Sequence, residues 1–412
     1  MLQILMIGSV WPEPASSGAS LRLMQYIKLF RQQGWSVTFV STAAESEFMA
    51  DLEALSVVCV PVEVNENSFD EFLQQLQPDI VLFDRFSMEE QFAWRVEKVC
   101  PNALRLLETI DLHCLRHARH MQFKRHAEVV QHVEASDLYS EVAQREIASI
   151  FRSDLSILTS SYEMALLQER FSMPDELICH SAYLFDASDY PTPLPDFEQR
   201  QHFMTIGNFR HAPNWDAVLW LKQQIWPLIR ARLPRAELHV YGAYAPPKAT
   251  ALHDARSGFH VLGRVPDVDA VMMQAKICLA PLRFGAGIKT KLADAMRNGT
   301  PSITTSVGAE GMTGGLSWGG MVTDDANAFA DAAVRLYQQE DAWKKAQGDG
   351  FDIVFSQFDM SINGPALIRR IQDLRANIEQ HRLRNFTGSM LRHHQHRSTE
   401  FMSRWIEAKN KI

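Results

Sequence analysis

Short apolar runs alternate with longer helical stretches along most of the chain, and that alternation leaves few folds open. Residues 4–8 (Ile-Leu-Met-Ile-Gly) form one run. A loop over 11–18 follows, then a stretch with apolar residues at Leu21, Met24, Ile27 and Leu29 that stops at Gly34. This spacing predicts a helix closed by glycine. Further runs stand at 36–40, 57–60, 79–83, 104–109 and 155–159, with a helix expected over 69–76. Strands of this length separated by helices predict a parallel sheet covered on both faces, an α/β fold. A long polar helical stretch is expected over 115–152. The rhythm breaks at 186–195, where Pro191, Pro193 and Pro195 mark a linker. It restarts at 203–207, 237–242, 259–262, 277–280 and 301–305. Two Rossmann-like halves, with a hinge near 190–200, place a ligand between them at the carboxyl ends of their strands.

Within the second half, residues 280–296 carry the most chemistry. An apolar strand runs into the turn Arg283-Phe284-Gly285-Ala286-Gly287-Ile288, which opens a helix through Lys289, Thr290 and Lys291. Gly285 and Gly287 let backbone approach a ligand closely. A helix N-terminus offers unpaired N–H groups and the positive end of a dipole. Two lysines there oppose that dipole unless an anion compensates. The segment therefore predicts a diphosphate cradle. Asp294 lies about two helical turns deeper, where a carboxylate can accept hydrogen bonds from ribose hydroxyls. On local pattern alone, glycines in a strand-to-helix turn also serve plain geometry.

Composition narrows the partners. A net charge of −8 over 412 residues argues against general nucleic-acid binding. An apolar fraction of 46% and a charged fraction of 22% are those of a soluble globular protein. Cys59, Cys100, Cys114, Cys179 and Cys278 are odd in number and lack metal-ligand spacing, which fits a reducing compartment. Cys59 and Cys278 fall in apolar runs and are expected to be buried thiols. The N-terminus lacks a basic start and reads as a strand, so no signal peptide is expected. No run approaches the about 18 apolar residues of a membrane span. A cytoplasmic protein is expected, able to sit on a membrane surface.

These residues together resemble the retaining glycosyltransferases of family 4, which have the GT-B fold. The likeness rests on Gly207-Asn208-Phe209-Arg210-His211, on Pro213-Asn214-Trp215-Asp216-Ala217, on Gly263-Arg264-Val265, on the cradle, and on Val307-Gly308-Ala309-Glu310-Gly311. It is strongest over 203–312 and looser elsewhere. The resemblance implies an acceptor domain over 1–190, a nucleotide-sugar domain over 200–375, and transfer of a sugar from a nucleotide-diphosphate donor to an acceptor hydroxyl with retention. Many members carry two glutamates eight positions apart; here Ala286 and Asp294 stand in those places, so the donor-sugar contacts differ. The family's basic pair after the first strand of the second domain is matched by Arg210, while its lysine is replaced near Asn214, leaving Lys289 or Lys291 to supply the charge. Ser17 and Gly18 match a loop that approaches the donor phosphate. Asp111 and His113 match the polar residues near the reacting centre; a helix cap and a surface histidine are their bland alternatives.

The resemblance thus assigns catalysis to Asp111, His113, Arg210 and Lys289. It assigns the donor to Gly18, Gly207, Arg210, Gly263, Arg264, Val265, Gly285, Ala286, Gly287, Ile288, Lys289, Lys291 and Asp294, with the base near Gly263-Arg264-Val265-Pro266. No metal and no cofactor are expected beyond the UDP or GDP sugar, and the acceptor is expected to be a saccharide or a lipid-linked one in surface polysaccharide, lipopolysaccharide or glycolipid synthesis. A sugar-nucleotide epimerase and a non-catalytic GT-B partner are the rival readings, the second favoured by Ala286. Residues 376–412 read as a basic amphipathic tail. Residues 381–412 hold seven Arg or Lys against two Glu, with Met390, Leu391, Phe401, Met402, Trp405 and Ile406 at helical spacing. Such a helix either packs back on the body, crossing to the first domain, or lies on an anionic membrane. Packing back is the preferred reading.

Overall fold

The computed structural model describes residues 1–410. Strands β1 (Gln3–Gly8), β2 (Ser36–Ser41), β3 (Val57–Pro61), β4 (Ile80–Asp84), β5 (Leu104–Glu108), β6 (Leu155–Leu158) and β7 (Ile178–His180) form one sheet in the order β3-β2-β1-β4-β5-β6-β7. Strands β8 (Gln201–Ile206), β9 (Leu238–Tyr241), β10 (Phe259–Gly263), β11 (Ala275–Ala280), β12 (Ser302–Thr304) and β13 (Gly320–Val322) form the other, in the order β10-β9-β8-β11-β12-β13. All neighbours are parallel. In each sheet the order reverses beside the first strand, between β1 and β4 and between β8 and β11, which opens a crevice at the strands' carboxyl ends.

The first sheet shows why these runs become strands. Leu5, Ile7, Val81, Phe83 and Leu107 belong to the core on one face. Ile4, Met6, Ile80, Leu82 and Leu106 belong to the core on the other. A period of two with both phases apolar is the mark of a strand buried on both sides. The sequence pattern misses β7 and β13, which are three residues each and only partly buried. Cys278 is buried as expected, whereas Cys59 lies on the edge strand β3 and is only partly covered.

Two expectations are corrected. The polar stretch over 115–152 is not one helix but three pieces, His113–His126, Ala135–Leu138 and Glu141–Arg152. The first ends where Ala127 turns left-handed, at φ 57°. The second correction concerns the domain limit. The helix Met360–Ala376, placed by sequence in the second domain, packs on the first. Its Met360, Leu367, Ile368, Ile371 and Leu374 share a core with Ile4, Met6, Leu29 and Phe30. The chain returns beside the linker, where Phe185 N–H donates to the Phe358 carbonyl and Met360 N–H to the Phe185 carbonyl, both at 2.8 Å.

Beyond it the helices Ile378–Arg384 and Phe386–Asn410 cover the first domain, the longer one against the helices Phe86–Val99 and Glu141–Arg152. Lys411 and Ile412, the end of the expected tail, lie outside the described residues. No helix among the described residues is long and apolar enough to cross a membrane.

Candidate functional site

A cavity of about 790 Å³ lies between the two domains. Its walls bring together Gly18, Asp111, His113, Gly207, Arg210, Val265, Gly285, Ala286, Gly287, Ile288, Lys289, Lys291 and Asp294. Gly263 and Arg264, expected at the base, do not line it. The Arg264 guanidinium instead lies over the Phe48 ring of the first domain, 3.9 Å from its centre.

The cradle has the geometry its sequence predicts. β11 ends at Ala280, and the helix Thr290–Arg297 begins after Lys289 with no side-chain cap. Its first N–H groups therefore face the cavity end of the helix without an internal partner. Gly285 and Gly287 have φ of 144° and 66°, conformations that favour glycine. A Cβ on Gly287 would stand 2.7 Å from Cβ of Asp111, so the two domains meet at this residue.

The two lysines have different surroundings. Lys291 Nζ donates to Asn214 Oδ1 at 2.8 Å, which puts an ammonium where the resemblance expects one near Asn214. Burial draws its pKa down to about 8. Lys289 Nζ donates to the Gly287 carbonyl at 2.6 Å, tightening the turn from below. Burial lowers its pKa too, against the opposing charge of Glu310. Asp294 lines the cavity and accepts from Arg297 Nε at 3.0 Å. Burial raises its carboxyl above the ordinary value despite that arginine. Arg210 lies over the Tyr244 ring, 3.6 Å from its centre, and Tyr244 Oη donates to Glu13 of the first domain at 2.9 Å.

The first domain contributes a strained corner. Ile110 has φ 64°, a region that a β-branched residue enters only at a cost of about 1–3 kcal/mol. Its N–H donates to Glu108 Oε1 at 3.1 Å, and its carbonyl accepts from Thr159 Oγ1 at 2.7 Å. These bonds hold the turn and set Asp111 at the cavity wall. Asp111 is not a helix cap: the capping position before His113–His126 is Leu112. Burial pushes the Asp111 carboxyl up, but Arg116, His113 and His211 outweigh it and hold it below its ordinary value. His113 Nε2 lies 3.6 Å from Asp111 Oδ1. Burial brings the His113 pKa down to about 4, so its ring is neutral at pH 7. The free N-terminus of its helix is answered from outside: Glu146 accepts from the N–H groups of His113 at 2.9 Å and Cys114 at 2.8 Å.

Several residues at this site carried no single-residue signal in the sequence. Arg116 pairs with Asp111. Arg119, fully buried, donates to both oxygens of Glu310 at 2.8 and 2.6 Å and to the Gly285 carbonyl at 2.9 Å. His120 stacks on Phe284 of the turn, ring centres 4.8 Å apart. Glu163 accepts from the Gly287 N–H at 2.6 Å. Arg116, Arg119 and His120 sit three and four apart on one helix, a spacing that puts them on one face. That spacing was the available signal; which surface the face meets was not. Glu163 has no such pattern around it.

Residues 200–339 match the family described as glycosyl transferases, group 1. A curated relative, an uncharacterized 44.6 kDa protein in the cps region of Klebsiella pneumoniae, is 19% identical over 395 residues, covering 87% of this chain and 97% of its own. Among solved structures, Anabaena Alr3699/HepE in complex with UDP and glucose is 13% identical with a TM-score of 0.67, over 90% of this chain and all of its own. WaaG, a glycosyltransferase involved in lipopolysaccharide biosynthesis, is 12% identical with a TM-score of 0.61, over 88% and 98%. At such identities the structural likeness speaks for the fold. The two parallel sheets facing a cleft are a GT-B fold, and residues 200–339 of its second half match the group 1 glycosyl transferases.

Proposed function

We propose that this protein is a retaining glycosyltransferase that moves a sugar from a nucleotide-diphosphate sugar to an acceptor hydroxyl. The observation that carries the reading is the interdomain cavity with an uncapped helix N-terminus, Lys289 and Lys291 on one wall and Asp111 on the other. Charge on a leaving diphosphate grows as the sugar–phosphate bond breaks, and fixed donors aimed at that charge contribute most to such reactions. Lys291, Arg210 and the first amides of the helix Thr290–Arg297 fill this role, with Lys289 holding the turn. They carry the charge that a metal would otherwise carry, which is the ground for proposing a metal-independent reaction without a cofactor.

The sugar C1–oxygen bond to phosphate breaks, the acceptor oxygen bonds to C1 from the same face, and the acceptor proton passes to the leaving phosphate oxygen. Asp111 and neutral His113 face this centre from the first domain and orient the acceptor. Asp294 accepts hydrogen bonds from the ribose. Ala286 leaves the donor sugar to backbone amides of the turn. A nucleotide sugar of the UDP or GDP type, a saccharide or lipid-linked acceptor, and a place in surface polysaccharide, lipopolysaccharide or glycolipid synthesis in the cytoplasm complete the proposal. The domain match and the saccharide chemistry in the names of the similar proteins support it.

The test is a panel of UDP and GDP sugars followed by thermal shift, since a ligand of the folded state raises the melting temperature by mass action. The stabilising donor is then incubated with acceptor extracts, and the anomeric configuration of the product is read by NMR. Nucleotide release that depends on acceptor, with retention, is the expected result. Release without acceptor points to hydrolysis or epimerisation, and no nucleotide binding points to a non-catalytic partner.

A further inference from the structure

The C-terminal helix Phe386–Asn410 is built with its polar side inward. Gly388 packs so tightly on the first domain that a Cβ there would lie 2.1 Å from the Phe151 carbonyl. Arg392 and His396 reach Glu97 of the helix Phe86–Val99, and Ser403 Oγ accepts from Arg95 at 3.1 Å. Further along, Glu407 Oε1 accepts from Asn67 at 2.9 Å. These bonds fix the rotation of the helix about its own axis.

What that rotation leaves outside is aromatic and basic. Phe386 is 69% exposed, Met390 47%, Phe401 66% and Trp405 59%. Positions 386, 390, 397, 401, 404 and 405 fall within about 100° of one another at 3.6 residues per turn. Arg397 and Arg404 therefore share the stripe with the aromatic side chains. The stripe is about 28 Å long. Large apolar side chains aligned on one surface mark an interaction site.

We infer that this outward stripe is a membrane-surface contact, seating the first domain on an anionic lipid surface. Charge selects the occupant. Residues 381–412 are positive, with seven Arg or Lys against two Glu, while the whole chain carries −8. In a symmetric dimer the stripe would face its own copy, positive against positive, whereas anionic headgroups complement it. Aromatic and Met side chains enter the headgroup boundary, and arginines reach up to phosphate from their stems. Arg404 is paired with Glu400 and is freed for phosphate only by exchange, so Arg397 is the stronger contact. The inference rests on the packing of the tail and stands whether or not the cavity transfers sugar.

The experiment is co-sedimentation of the full chain with vesicles of phosphatidylcholine alone or with a third phosphatidylglycerol, at low and high salt. Binding to the anionic vesicles only, weakened at least tenfold by the pair Phe401→Ser and Trp405→Ser and by the pair Arg397→Glu and Arg404→Glu, is the expected result. All four side chains project from the surface, and unchanged melting temperatures establish that the variants fold. A blue shift of tryptophan emission on vesicle addition, lost in Trp405→Phe, places the helix itself in the interface. Failure to bind either vesicle, or binding that ignores both pairs, overturns the inference. So does a dimer in light scattering that these pairs dissociate without any vesicle binding, since the stripe then belongs to a second copy.

Discussion

Glu163 of the first domain accepts a hydrogen bond from the Gly287 N–H of the second at 2.6 Å, and both residues are buried. Burial and the nearby Asp111 charge raise this carboxyl well above the ordinary range. A protonated acid in this place uses its carbonyl oxygen on the amide, which a glutamine can reproduce. Glu163→Gln is therefore expected to match wild-type stability in acid, near the unfolded value of 4.5, and to exceed it at neutral pH, and Glu163→Ala to lose about 1–3 kcal/mol relative to the glutamine variant by leaving the amide unpaired. The sign of the pH effect follows. A carboxyl raised in the folded state binds its proton more tightly there than in the unfolded chain. Its contribution is complete below the unfolded value of 4.5 and is lost as pH rises through the folded one. Urea unfolding from pH 5 to 9 should show wild type losing stability relative to Glu163→Gln as pH rises. A constant difference would contradict the assignment.

Lys291 sets a pH limit on anion binding. Its ammonium, with a pKa of about 8, is charged at pH 7 and loses its proton within reach of ordinary assays. Affinity for a nucleoside diphosphate is expected to fall as pH rises through 8, and Lys291→Ala to weaken binding by about 1.5–3 kcal/mol, the size of a hydrogen bond to a charged group. Lys291→Arg should keep affinity to higher pH, since a guanidinium stays charged. Titration calorimetry at pH 6.5, 7.5 and 8.5 decides. Equal affinity in Lys291→Ala would remove this residue from the phosphate site.

Asp294 and the lysines are separable by ligand. Asp294→Asn is expected to weaken binding of a nucleoside diphosphate several-fold while leaving inorganic pyrophosphate unchanged, because only the first ligand has a ribose. Lys289→Ala should weaken both by about 1–3 kcal/mol through loss of the bond that fixes the turn. Competition against a fluorescent nucleotide measures all four values. If Asp294→Asn weakens pyrophosphate as well, its role is to hold Arg297 rather than to meet ribose.

Gly18 tests closure. A Cβ there would stand 1.9 Å from Thr290 Oγ1, at the junction of the two domains. Gly18→Ala should hold the cleft open, lowering donor turnover at least tenfold with little change in melting temperature, since the two cores are untouched. Small-angle scattering should show a larger radius of gyration. Adding Thr290→Gly restores the space and should restore closure. A single variant as compact and active as wild type would place the contact elsewhere.

The alternation of strands and helices was legible because both faces of each central strand are buried, so Ile4 to Ile7 or Val81 to Phe83 cannot be anything but apolar. The cradle was legible because glycine, lysine and a helix start fall together within a few residues. The partners that close the site were not. Glu163, Arg119 and Glu310 act across a domain gap, and a single charged residue on a helix gives no sign of what it will face. The inward side of the last helix escaped for a related reason. Arg392, His396 and Ser403 look like solvent residues until Glu97 and Arg95 are found beneath them, whereas Met390, Phe401, Met402 and Trp405, which read as a packing face, are left outside.

The return of the chain at Phe358–Met360 has a consequence for how the molecule is made. The first sheet is complete once β7 has emerged, yet one side of its core is closed by Met360, Leu367, Ile371 and Leu374. During synthesis that side stays open to water until the second domain and the helix after it have left the ribosome. The half that is translated first is thus the half that is finished last, and a chain stopped short of residue 360 carries an unfilled core however well its strands have paired.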